Sequence, residues 1–251
     1  MLSAVWQTLT RWYHQWGSPR YFFQYSGVLL RWLWPLAIVV TMTGLVWGLA
    51  FAPADYQQGD SYRIIFIHVP AASAALLGYV SMGVAGLVGL VWRMKMADIM
   101  IKAIAPFGAI LAAVALITGA IWGKPTWGTY WVWDARLTSM LLMLFLYLGV
   151  IALINAIPDP RQAGRAASLL SVVGVINVVI VKYSVQWWQS LHQGSTLKVV
   201  GETAMPAEML SPLLISMLGI YLLFACTVLV RARTEIMRRE RKSQWLKEAL
   251  Q

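Results

Sequence analysis

Apolar residues in this chain gather into long runs separated by short polar breaks. Six runs stand out, at about 28–51, 64–92, 103–122, 137–157, 166–186 and 209–230. Each reaches roughly the 20 residues that an α-helix needs to cross about 30 Å of hydrocarbon. Helices are the expected form, because in lipid every backbone N–H and C=O must be satisfied within its own segment. The pattern predicts an all-α, polytopic membrane protein with six transmembrane helices. A surface-lying segment, 1–27, precedes the six-helix domain at 28–230, and a basic tail, 231–251, follows it.

Composition agrees with that reading. Apolar residues make up 59% of the 251 and charged residues only 12%, about half the charged share of a soluble domain. The first apolar run starts near Val28, too far in and too long for the core of a signal peptide, so no cleavable leader is expected. Before it, Trp6, Trp12, Tyr13, Trp16, Tyr21 and Phe22 mix with Arg11 and Arg20, as in a segment lying along the membrane surface. The one cysteine, Cys226, forms no C-x-x-C pair and no C-x-x-C-H attachment site, and reads as a small packing residue.

Charge sets an expected orientation. With the amino terminus in the cytoplasm, fifteen of the twenty basic residues fall on the cytoplasmic side, while the ten acidic residues divide equally. The positive-inside rule then places both termini inside. The net charge of +10 is no sign of nucleic-acid binding, because the tail from Arg231 to Lys247 reads as a helix extending from the sixth span and held by anionic lipid or a partner. Three segments face outward: 52–63, 123–136 and 187–208.

Those segments carry the chemistry. Of the three histidines, His14 is on the inner side, His68 stands at the outer end of the second span in "RIIFIHVPAA", and His192 stands in "WWQSLHQGST". Pro70 suggests that the second span starts or kinks there, leaving His68 at the interface. A histidine in a span is a functional candidate by default, although a lone ring at a helix end also serves as a hydrogen-bonded structural residue. Two imidazoles on one side suit the axial positions of a haem iron better than a zinc site, which wants three or four protein ligands.

Between them lies "WGTYWVWDARLTS", residues 127–139. A helix would put Trp127, Tyr130, Trp131 and Asp134 on one face. An extended strand would align Trp127, Thr129, Trp131 and Trp133. Both stay open, since Gly123, Pro125 and Gly128 interrupt any long regular element. An aromatic belt at the interface is the plain explanation. A stacking surface for a large planar ring is the functional one, with Trp187 and Trp188 as further members. Asp134 is also an N-cap candidate for the fourth span. Arg63, Lys124 and Arg136 lie on the same side and suit the carboxylates of a porphyrin. A G-x-x-x-x-G-K-[ST] loop is absent from the sequence, so no nucleotide hydrolysis by that route is expected.

The stretches "FAPADYQQGDSYRIIFIHVPAA", "WGKPTWGTYWVWDARLTS" and "WWQSLHQGST" resemble the CcmC family. These are the haem-handling, WWD-motif membrane proteins of bacterial System I cytochrome c maturation. The resemblance covers roughly 28–230. It implies an inner-membrane, multi-pass protein that binds haem b non-covalently, as transient cargo, on the periplasmic face. It implies axial iron ligation by His68 and His192, with Trp127, Gly128, Tyr130, Trp131, Trp133 and Asp134 against the ring. It further implies delivery of haem to the periplasmic chaperone CcmE, with CcmD and the CcmA–CcmB transporter as partners beside membrane lipid. Such a protein is a delivery platform rather than a conventional enzyme, and no catalytic residue is assigned. A conductor of haem across the membrane, a non-haem docking scaffold and a quinone-binding subunit are the competing readings.

Overall fold

The structure is a computed structural model that describes residues 15, 17–188, 190–192 and 205–250. Helix α1 is Pro19–Val46, prolonged by a π-helical turn at Trp47–Phe51. A 3-10 turn, Asp60–Ile64, leads into α2, Ile65–Trp92. Then come α3, Lys95–Trp127, α4, Ala135–Ala156, α5, Pro160–Trp187, α6, Ala207–Arg239, and the short α7, Gln244–Ala249. Six stretches are long and apolar enough to cross a membrane, and they match the six expected spans one for one. Among the described residues there is no strand, only an isolated bridge between Asp55 and Gly59.

Most helices outrun their apolar stretches. The hydrophobic run marks what meets lipid, whereas a helix continues while one face still packs on protein. At the start of α3, Met96, Ala97 and Ile99 are buried although Lys95, Asp98 and Lys102 are interspersed. At the end of α6, Ala232, Glu235 and Ile236 are buried beyond the apolar run. The tail expected from Arg231 onward is therefore helical to Arg239 and joined to the bundle. Glu235 accepts from Lys102 at 3.3 Å, Arg238 at 2.9 Å and Arg239 at 2.7 Å. Arg233 lies over the Phe23 ring at 3.8 Å and donates to the Phe23 carbonyl. Helix α7 buries Leu246 and sets Trp245 edge-on to Phe23. The aromatic amino-terminal residues Trp6, Trp12, Tyr13 and Trp16, with His14 and Arg11, lie outside the described residues, as do 193–204 of the last outer segment.

Helix α1 packs chiefly on α6, and α2 is the central helix, touching α3, α5 and α6, with α4 against α3 and α5. The α1–α6 crossing is made by small residues. A Cβ on Gly44 would stand 2.5 Å from the Ser216 nitrogen, and one on Gly219 would stand 2.5 Å from Thr41 Cα. Such close backbone approach is how helices associate in lipid, where no hydrophobic force drives them together. Mid-bundle, Tyr79 and Tyr147 are fully buried with ring centroids 4.9 Å apart. Their hydroxyls donate to the carbonyls of Leu170 and Ala75, at 3.2 Å and 2.7 Å, so neither polar group is orphaned.

Candidate functional site

The site lies at the end of the bundle where α2 and α4 begin and α3 and α5 finish. His68 is in the first turn of α2, three residues past Ile65. Of the start or kink expected at Pro70, the start does not occur there. The helix starts at Ile65, and Pro70 falls in the second turn, where its missing N–H forgoes one i→i−4 bond. His68 is still near the helix start and faces α3. Its Nδ1 is 3.1 Å from Thr118 Oγ1, and its ring is edge-on to Trp122 at 5.7 Å. Trp122 in turn meets Tyr62 at 5.7 Å and donates its indole N–H to Gln58 Oε1 at 2.7 Å. That contact ties the 52–63 segment over the His68 end of α3.

Helix α3 ends at Trp127, and Gly128 closes it with φ +78°, its N–H bonded to the Lys124 carbonyl at 3.1 Å. Glycine takes this left-handed C-terminal position at no steric cost. Residues 128–134 then leave the helix without forming a paired strand, which excludes the helical alternative for the run as a whole. Asp134 ends the run as the N-cap of α4, its Oδ1 accepting from Leu137 N at 2.8 Å. Cap and site are one residue. Asp134 Oδ2 also accepts from Ser190 Oγ at 2.6 Å and lies 3.0 Å from His192 Nδ1. Ser190 Oγ further receives the His192 backbone N–H at 3.1 Å.

Trp127 meets the His192 ring at 4.8 Å, and Trp131 meets Trp133 at 5.4 Å. Trp131 Nε1 is buried without a hydrogen-bond partner among the described residues. Tyr130, Trp133, Trp187, Trp188 and Leu191 are exposed, so this end of the protein carries a broad apolar face. A shallow depression of about 320 Å³ lies there, lined by Val132, Trp133, Asp134, Ser190 and Leu191.

The electrostatics single out one cation. His68, His192 and Arg136 lie within electrostatic reach of one another. Arg136 is half-buried, and no ion pair ends on it among the described residues. Arg63 is committed to Asp60 at 2.9 Å and to the Leu49 carbonyl at 3.1 Å. Lys124 is exposed, bonded to the Gly128 carbonyl at 3.1 Å and 5.3 Å over the Tyr130 ring. Burial pushes the His192 imidazole below its ordinary range, and Asp134 only partly offsets this, so the ring is neutral and able to ligate. Burial alone would raise the Asp134 carboxyl. The bonds from Leu137, Ser190 and His192 outweigh it and hold the group ionised below the usual carboxylate range.

Of the residues singled out in sequence, the fold thus gathers His68, His192, Trp127, Asp134 and Arg136. It leaves Arg63 and Lys124 occupied with local structure and turns Tyr130 and Trp133 outward. Thr118, Trp122 and Ser190 were not anticipated. Thr118 and Trp122 share one face of α3 by their i, i+4 spacing, but nothing in sequence says that the face meets His68.

Fold and site together define a polytopic membrane protein that carries two histidines, a cluster of tryptophans and a half-buried arginine at one end of its bundle. The heme exporter protein C family matches residues 12–247. Heme exporter protein C of Escherichia coli is 50% identical over 246 residues, 98% of either chain. That of Haemophilus influenzae is 42% identical over 241 residues, 96% of this chain and 98% of the other. That of Bradyrhizobium diazoefficiens is 43% identical over 233 residues, 93% and 88% of the two. The chain belongs to the heme exporter protein C family.

Proposed function

We propose that this protein binds haem b non-covalently at the periplasmic face of the inner membrane and presents it to the haem chaperone CcmE during c-type cytochrome maturation. The family name supports a haem-related membrane role. The observation that carries the finer reading is the convergence of His68, His192 and Arg136 beside the tryptophan segment. Each imidazole meets its side-chain partner through Nδ1, Thr118 for His68 and Asp134 for His192, which points Nε2 away from that partner. Arg136 is a half-buried charge that makes no direct ion pair among the described residues, with the Asp134 carboxylate within electrostatic reach but not in contact, so its guanidinium is free to take an anion. The Trp131 indole N–H is likewise an unspent donor. Haem supplies what each lacks: an iron that takes two axial nitrogens, a flat apolar ring, and carboxylates. In this reading Arg136 is the propionate partner, while Arg63 and Lys124 are not.

Conduction of haem through the bundle is the main competitor. Against it stands the filled middle of the molecule, where Tyr79, Met82, Met143 and Tyr147 are fully buried. Another cleft, about 410 Å³ and lined by Asp98, Lys102, Arg238 and Arg239 among others, lies at the far, basic end. A platform that holds haem with one edge open brings it to the chaperone in fixed geometry, which is itself a rate advantage. The proposed partners CcmD and CcmA–CcmB suit a protein whose sequence lacks a G-x-x-x-x-G-K-[ST] loop.

The test is the absorption spectrum of haem-supplied, detergent-purified protein beside His68→Ala and His192→Ala. Six-coordinate low-spin bands in the wild type, lost or shifted in both variants, are expected. A colourless wild type would overturn the haem reading and leave the aromatic face as a protein-docking surface.

A further inference from the structure

The two imidazoles are held by different partners, and the difference is chemical. Thr118 Oγ1 lies 2.6 Å from the Val114 carbonyl, a back-bond to its own helix that takes the hydroxyl proton. Its lone pair therefore accepts from His68, which makes Nδ1 the protonated nitrogen of that ring. Asp134 is an ionised acceptor with no proton to give, so His192 is also protonated at Nδ1. Both tautomers follow from the partners, and both leave Nε2 as the free donor. The rings are alike in that respect and unlike in another. His68 is backed by neutral groups, the Thr118 hydroxyl and the Ala115 carbonyl, whereas His192 is backed by a carboxylate.

A carboxylate behind a metal-bound histidine fixes the ring's orientation and raises its basicity toward the metal. The Asp134 carboxylate is itself fixed, with Oδ1 on the α4 N-terminus through Leu137 N and Oδ2 shared between Ser190 and His192. The helix N-terminus favours a negative charge at that point. His192 sits outside any helix, so this tether, with the Trp127 ring against it and Ser190 on its backbone N–H, aims it. His68 is aimed by its own helix, and the Thr118 bond adds no charge.

On the haem-binding reading above, we propose that Asp134 is a positioning residue that makes the two axial ligands unequal. His192 is the strong, retained donor to the iron, and His68 is the weaker donor, the first to yield its place to an incoming ligand. Exchange then proceeds by breaking the iron–His68 Nε2 bond and forming one bond from iron to the entering donor, with no change of charge on the protein. Such an arrangement lets the cargo be opened to a recipient without being dropped.

Asp134→Asn separates this role from the cap. Asparagine caps a helix about as well as aspartate, but it carries no charge to place behind His192. Haem-loaded wild type, Asp134→Asn and Thr118→Val are compared by haem midpoint potential and by the rate of haem loss to an excess of apomyoglobin. Asp134→Asn is expected to keep a folded, haem-binding protein while its midpoint potential moves to more positive values. Its haem loss should accelerate about tenfold or more, the usual consequence of removing an outer partner of a metal-bound histidine. Thr118→Val should leave the midpoint potential near that of the wild type and accelerate loss less. A second readout is carbon monoxide binding to reduced protein. The bound form should keep His192, so that His68→Ala gives the same carbonyl spectrum as wild type and His192→Ala does not. Wild-type potential and loss rate in Asp134→Asn, or a carbonyl spectrum preserved in His192→Ala, would overturn the inequality while leaving haem binding intact. Failure of the wild type to bind haem would instead overturn the reading on which it rests.

Discussion

At the scale of single residues, the most informative side chain is Arg136. It stands near the start of α4, where the helix dipole disfavours a cation, and no carboxylate meets it among the described residues. Asp134 is within electrostatic reach without touching it, so on the haem reading the Arg136 guanidinium is the group proposed to take a propionate. Arg136→Gln should weaken haem retention by roughly tenfold to a hundredfold, the worth of about 1.5–3 kcal/mol for a charged hydrogen bond. Lys124→Gln, at an exposed site, should change it little. Equal losses in the two variants, read by haem titration, would remove the distinction drawn between them. The chemistry of this residue was legible in sequence only as membership of a trio. What separated Arg136 from Arg63 and Lys124 was the spending of the other two on Asp60, Leu49 and Gly128, which depends on turns that no spacing announces. Asp134 is similar. Its cap role is a local pattern and could be read directly, but its second oxygen serves His192, fifty-eight residues away.

Elements were more legible than contacts. Each apolar run became a helix, because lipid leaves the backbone no other means of satisfying itself over that length. The ends were less so, since polar turns at Lys95–Lys102 and Arg231–Arg239 stay helical by packing on protein, a fact that no hydropathy pattern contains. The tryptophan stretch resisted for a related reason. Both periodicities fitted its spacing, and the left-handed glycine that closes the helix excluded the helical one for the run as a whole. Pairing of helices was also hidden, yet small residues now explain α1 on α6. Gly44→Val and Gly219→Val each push a branched side chain into backbone of the facing helix and should cost about 1–3 kcal/mol as overpacked sites do. In detergent the melting temperature should fall and protease should cut α1 from the rest more readily. An unchanged melting temperature in both would mean that this crossing is looser than the close backbone approach suggests. The same crossing tests the fold apart from the site, because the atoms that crowd the two glycines belong to Ser216 and Thr41 and to neither histidine.

For the whole molecule, the two ends have opposite characters. One carries His68, His192 and the apolar aromatic face. The other carries Glu235 with its three cations, the clasp of Arg233 on Phe23, and the basic tail. The clasp explains why that end is a structural unit rather than a loose tail. Glu235→Gln should lower stability by about 1–2 kcal/mol, less than a fully buried pair because the cations reach solvent. A thermal scan unaffected by it would make the tail independent of the bundle. The charge asymmetry also predicts which end faces the cytoplasm, and presentation to a periplasmic chaperone depends on it. The one native cysteine, Cys226, is fully buried, so a membrane-impermeant maleimide has little background. Tyr56 is 91% exposed at the histidine end, and Arg241 is exposed at the basic end. In cells with a permeabilised outer membrane, Tyr56→Cys should label and Arg241→Cys should not until the inner membrane is opened. The reverse pattern would put the two histidines on the cytoplasmic side. Haem ligation by His68 and His192 would survive that result, but the proposed recipient would not, because a periplasmic protein would then have no access to them.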